Sequence, residues 1–133
     1  MGHVASKLES KEAERREREE ALLGPPSKTL DATPYVQDLV RIVYKSVEDH
    51  LDLGILNTKD VKLESTEYIE RVVRGGGKDP KDGTMYYVKV RTNVDKWPWV
   101  FAKIYEPPKV TTVSPVTLKG FRKMEEEYKL VTF

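Results

Sequence analysis

One strongly amphipathic helix, followed only by strand-like segments, limits this chain to few architectures. Val36, Leu39, Val40, Val43, Val47 and Leu51 recur at helical spacing, which gathers them on one broad face about five turns long. Thr33 stands where an N-cap belongs and Pro34 at the first helical position, where a missing N–H costs nothing. Gly54 is the expected stop. A lone helix covers only one face of a sheet, so the strands that follow should alternate in polarity and not be buried on both sides. Residues 84–92 alternate in this way, with Tyr86, Val88 and Val90 on one face and Tyr87, Lys89 and Arg91 on the other. These patterns predict an α+β fold, an antiparallel four- to five-stranded sheet wrapped around one long helix.

Val61 and Leu63 alternate with polar residues, and residues 67–73 read as the second half of the same strand or as its bulged continuation. Residues 75–83 form a long polar loop with Pro80 and Asp82-Gly83. Residues 93–96 make a turn, and residues 99–105 the next strand. Residues 116–121 and 128–133 supply the last strand material, joined by a polar connection over 123–127. Trp97-Pro98-Trp99 leads into a strand, with one aromatic tucked on the core. The alternative there is a partner-binding aromatic patch.

The N-terminal residues have a different character. Residues 6–23 are mostly charged and carry a capping-box pattern, Ser6-Lys7-Leu8-Glu9. Glu12 precedes Arg16 by four residues, as Glu14 does Arg18, the favourable order for helical ion pairs. No apolar stripe appears before Ala21-Leu22-Leu23, so tertiary packing has little to hold. Gly24-Pro25-Pro26 ends this helix. The expected division is a charged helical extension over residues 1–23 and one folded domain over residues 24–133. Met1-Gly2-His3-Val4-Ala5-Ser6 fits a myristoylation pattern, with Gly2 as the acceptor. One acyl chain binds membranes weakly and reversibly, and the mixed Arg and Glu of the adjacent helix make a poor polybasic second signal.

Several classes of function lack their chemistry. The chain has no cysteine, which removes disulfides, thiol nucleophiles and thiolate metal sites and suits a reducing compartment. A net charge of +1 offers no bulk attraction to nucleic acid. His3 and His50 are far apart with no ligand spacing, and His50 reads as a polar residue late in a helix, so no metal or cofactor is expected. Gly75-Gly76-Gly77 runs into Lys78-Asp79-Pro80, a loop and not a phosphate-cradling helix start. No apolar run is long enough to span a bilayer and no secretory segment is present. The expectation is a cytoplasmic protein without catalytic residues, with membrane association as an addition through Gly2.

Four short pieces, in order, resemble the stefins, the intracellular type 1 cystatins. Arg71-Val72-Val73-Arg74-Gly75 is similar to the family's QVVAG motif, and Gly83-Thr84-Met85-Tyr86-Tyr87-Val88-Lys89-Val90 to the strand after it. Val116-Thr117-Leu118 and Leu130-Val131-Thr132-Phe133 resemble the PLTL and LTYF signatures. Gly24 sits where the family has its N-terminal glycine. The resemblance implies a cystatin-like fold and inhibition of papain-like cysteine proteases by a wedge. An N-terminal trunk, here Leu22-Leu23-Gly24, and two hairpin loops enter the protease cleft together. Carried over by position, the contacts are Leu23 and Gly24, the first loop Arg71, Val72, Val73, Arg74 and Gly75, and a second loop around Pro107 and Pro108.

The chain departs from that pattern in three places. Arg71 and Arg74 replace a glutamine and an alanine at the wedge, and burying a guanidinium without a carboxylate partner is costly. Residues 76–82 look inserted, and a longer loop loses more entropy when ordered. The trunk runs into a helix former where the family has a free end. Two functions therefore stand side by side. One is reversible protease inhibition, in which Arg71 and Arg74 would pair with an acidic protease rim. The other is a non-inhibitory cystatin-fold assembly module, anchored at Gly2 and docked to a structural protein partner through residues 1–23. The sequence sets no oligomeric state.

Overall fold

The computed structural model describes residues 3–54, 60–75, 82–108 and 115–133; the side chains of residues 3–9, 12 and 16 and the capping and ion-pair expectations on them lie outside this description. In chain order the elements are α1 (His3–Leu22), β1 (Leu30–Asp31), α2 (Pro34–Ile42), α3 (Tyr44–Leu51), β2 (Leu63–Val73), β3 (Gly83–Thr92), β4 (Trp99–Glu106) and β5 (Thr117–Met124). The five strands form one antiparallel sheet in sequential order, β1-β2-β3-β4-β5. No helix among the described residues is long and apolar enough to cross a membrane.

The amphipathic helix starts as its sequence dictates. The Thr33 hydroxyl accepts the Val36 N–H at 3.2 Å, and Pro34 fills the first helical position. The expected single helix is, however, two, with a one-residue break at Val43 (φ −94°, ψ 11°). Hydrogen bonds run into and out of the break, from the Val43 N–H to the Leu39 carbonyl and from the Val47 N–H to the Val43 carbonyl. Neither Pro nor Gly marks the site. The six stripe residues nevertheless all stay buried, so the break follows the sheet that the stripe covers and not a local breaker. α3 ends at Asp52, in the left-handed region at φ 51°, two residues before the expected Gly54, which itself takes φ 73°. His50 occupies the last turn of α3, exposed, with Nδ1 2.7 Å from the Ser46 carbonyl.

The inner face of the sheet packs on these helices. Tyr86, Val88 and Val90 of β3 and Val100, Ala102 and Ile104 of β4 meet the helical stripe, and Trp97 packs against the same cluster. β2 carries the bulge that its sequence left open, with the register shifting between Ser65 and Glu67. Gln37 of α2 supports the bulge. Its Oε1 accepts the Ser65 N–H (2.8 Å) and hydroxyl (2.7 Å), and its Nε2 donates to the Leu63 carbonyl (2.9 Å).

The outer face departs from the expectation of one-sided burial. Tyr87, Phe101, Ile69 and Leu130 form a second buried cluster, joined by Phe133. Residues 128–133 are not a strand. After β5, which reaches Met124 and so takes in the first two residues of the expected polar connection, the chain turns back across the outer face. Phe133 meets the edge of Tyr87 at 5.7 Å and stacks on Phe101 at 6.4 Å. Gly120 leaves space for this ring, since a Cβ there would lie 3.1 Å from Phe133 Cε2. Lys89, also on this face, is 4% exposed and is neutralised by Glu127 at 2.6 Å and Glu67 at 3.9 Å, with Trp99 beneath its Nζ. The backing that a second helix layer would supply comes instead from irregular chain.

Candidate functional site

One end of the sheet gathers most of the residues singled out in the sequence. Residues 23–32 run antiparallel along the free edge of β2. The Ser27 N–H donates to the Glu70 carbonyl, the Gly24 N–H to the Val72 carbonyl at 2.7 Å, and the Arg74 N–H to the Leu22 carbonyl at 2.8 Å. Leu23 bridges Val73. On its other edge β2 pairs with β3, Val72 opposite Thr84 and Val73 opposite Gly83. β3 in turn sets Thr84 opposite Glu106 of β4, just before Pro107 and Pro108. The trunk, the first hairpin and the base of the second loop thus lie side by side across three strands.

This pairing changes the status of several residues. Arg71, Val72 and Val73, expected in a hairpin loop, are the last residues of β2, because their backbone is taken up by the trunk on one side and β3 on the other. The loop proper starts at Arg74 and Gly75. The Gly75 N–H donates to Asp82 Oδ1 at 2.8 Å and draws the hairpin mouth together. The inserted residues 76–81 lie outside the described residues, as do residues 109–114 after Pro108 and the lipidation candidate Gly2. At the edge, Val72 is 49% exposed, Arg74 is exposed, Leu23 and Val73 are half-buried, and Pro108 is buried.

Arg71 does not stand at a wedge tip. Its side chain is 11% exposed; Nε donates to the Gly24 carbonyl at 2.7 Å and the terminal nitrogen to Glu20 Oε1 at 2.9 Å. The guanidinium therefore has its carboxylate partner within the chain, at the C-terminal turn of α1, where a cation also meets the helix dipole favourably. It is not presented to an acidic partner, as the sequence reading allowed. Gly24 needs no glycine for the fold. An added Cβ would sit 3.5 Å from the Val72 oxygen, an ordinary contact.

α1 is otherwise lightly held. Every described side chain of the helix is exposed, and its i,i+4 pair Arg15–Glu19 is 4.0 Å long and open to solvent. From Leu22 the helix passes over the outer face and encloses an open cleft of about 430 Å³, with Arg15, Glu19 and Leu22 on one side and Met85, Tyr105 and Lys119 on the other.

A further cluster, with no signal in the sequence, holds the end of β4 from the inner face. Glu106 accepts hydrogen bonds from Tyr35 of α2 and from Tyr86, and Tyr86 also sits in ring contact with Tyr35 and Tyr68. Desolvation and the nearby Glu70 raise the Tyr86 phenol above its ordinary pKa. Burial raises Tyr87 as well, against a smaller lowering by Arg71. Among the described residues no group of three or more His, Cys, Asp or Glu side chains is placed to hold a metal ion. Neither a scan against protein-family models nor a search of curated proteins returned a match for this chain.

Proposed function

We propose that this chain is a stefin-like, reversible inhibitor of papain-like cysteine proteases, acting in the cytoplasm as a binding protein with no reaction of its own. The observation that carries the reading is the convergence of the trunk, the mouth of the first hairpin and the base of the second loop at one end of one sheet. Three of the four stefin-like pieces fall on strands of a five-stranded antiparallel sheet backed by helix, consistent with a cystatin-like layout, while the fourth, residues 130–133, packs across the outer face of that sheet. The contact edge is Leu23, Gly24, Val72, Val73, Arg74, Gly75, Pro107 and Pro108. Its exposed Val72 offers apolar surface ordered in advance by hydrogen bonds on both sides of β2, so little conformational entropy remains to be lost on binding.

Titration of the full chain against papain, with a fluorogenic substrate, tests the reading. Stoichiometric inhibition at nanomolar concentration is expected. Gly24→Val and Val72→Asp should each weaken it at least tenfold, and the absence of inhibition at micromolar concentration would refute it. Gly24→Ala adds a methyl that the fold accommodates, so any loss of inhibition it causes arises at the partner surface.

A second reading, a non-inhibitory assembly module bound through residues 1–23, is favoured by Arg71, which spends its charge on its own helix and not on a partner. On that reading the edge variants change nothing, and deletion of residues 1–20 abolishes localisation in cells.

A further inference from the structure

α1 ends at the place where the contact edge begins. The Leu22 carbonyl is held by the Arg74 N–H, Leu23 bridges Val73, and Glu20 is held by Arg71. From there the helix turns over the outer face toward β3, β4 and β5, where Met85, Tyr105 and Lys119 face it across the cleft. A helix with its side chains is about 10–12 Å across, so a thick rod lies against the trunk at the end of the sheet that would enter a protease cleft. The fastening is slight. None of the described α1 side chains is buried, and Glu20, at 63% exposed, holds through one charged hydrogen bond to a mostly buried guanidinium.

The two ends of that bond are unequal. Arg71 keeps the Gly24 carbonyl when Glu20 leaves, so its guanidinium is not stranded. The trunk from Gly24 onward keeps its pairing with Val72 and Glu70 whatever α1 does. The arrangement is thus a stable edge with a detachable rod beside it.

We propose that α1 is a steric block beside the contact edge, latched by Glu20 on Arg71, which leaves Val72 and Arg74 open but keeps the end of the sheet from seating fully in a cleft, and that inhibition strengthens when the latch opens. This rests on the inhibitor reading above.

The test compares three full-length proteins against papain and follows amide hydrogen exchange over residues 10–22. They are the wild type, Glu20→Ala, and a Glu19→Cys/Lys119→Cys variant joined by a short bis-maleimide. The parent chain has no cysteine, so the cross-link is unambiguous. Glu20→Ala should speed exchange in α1 and lower the inhibition constant about tenfold, the scale of one charge-assisted hydrogen bond. The cross-linked protein should inhibit at least tenfold more weakly than the same variant before linking. Faster exchange without tighter inhibition, or a cross-linked form as potent as the unlinked one, overturns the steric block and leaves the inhibitor reading standing. If no form inhibits at micromolar concentration, the inhibitor reading fails and takes this inference with it.

Discussion

Glu127→Gln and Lys89→Met should have unequal consequences for stability, although they break the same ion pair. Lys89 is buried, and its Nζ is held by Glu127 at 2.6 Å, with Glu67 more distant at 3.9 Å. Removing the carboxylate strands a buried ammonium, which in a fully enclosed pair costs about 3–5 kcal/mol. Glu127 is itself 56% exposed, and both Glu67 and the Trp99 ring remain within reach. Water and these partners recover part of the loss, leaving about 1.5–2 kcal/mol. Removing the lysine instead leaves Glu127 free to hydrate, while methionine keeps the apolar stem packed on the outer face. The expected change is within about 0.5 kcal/mol of zero and of either sign. Urea unfolding followed by tryptophan fluorescence measures both, and Trp99 reports directly on the site. Equal destabilisation by the two variants would refute the argument, since it would mean that the pair is net favourable and not merely expensive to break.

Other expectations concern groups elsewhere in the fold. Gln37→Ala removes three hydrogen bonds from the β2 bulge and leaves the Ser65 N–H and the Leu63 carbonyl seeking water, so urea unfolding should show a loss of about 2 kcal/mol. Gly83→Ala places a Cβ 2.9 Å from the Glu106 carbonyl and closer still to the Tyr105 ring, and should lower thermal stability by about 1–3 kcal/mol, read by calorimetry. Tyr86 and Tyr87 have phenols raised by burial in the folded state. Their contribution is whole below pH 10, the unfolded value, and is lost as pH climbs through the folded values. Stability should therefore decline above pH 10 alongside tyrosinate absorbance, and a flat profile there would contradict the burial.

What could be read from the sequence was local or periodic. The Thr33-Pro34 start, the stripe from Val36 to Leu51 and the inside–outside assignment of residues 86–91 each follow from spacing within a few residues, and the fold keeps them. The break at Val43 left no mark because neither Pro nor Gly stands there and the apolar stripe stays buried across it. Residues 128–133 read as a strand because their alternating apolar residues fit one, yet the same residues serve equally well as a cover over Tyr87 and Phe101, and only the tertiary structure separates the two. At the candidate site Val72 is expected in a loop and lies in β2; a β-branched run does not by itself show how far the pairing with the trunk and β3 extends. Arg71 could not be placed either, because its partners Glu20 and Gly24 lie about fifty positions away and a guanidinium looks the same in sequence whether it faces a partner or its own chain.

Both margins of the sheet are unsuited to receiving another strand. Along the β1 side the trunk carries the exposed Pro25 and Pro26, which have no N–H to offer a newcomer. Along the other, β5 is kinked where Lys119 is the extra residue between Leu118 and Gly120. Lateral growth into fibrils or edge-to-edge dimers is thereby discouraged at both sides, and a partner is steered toward the end of the sheet.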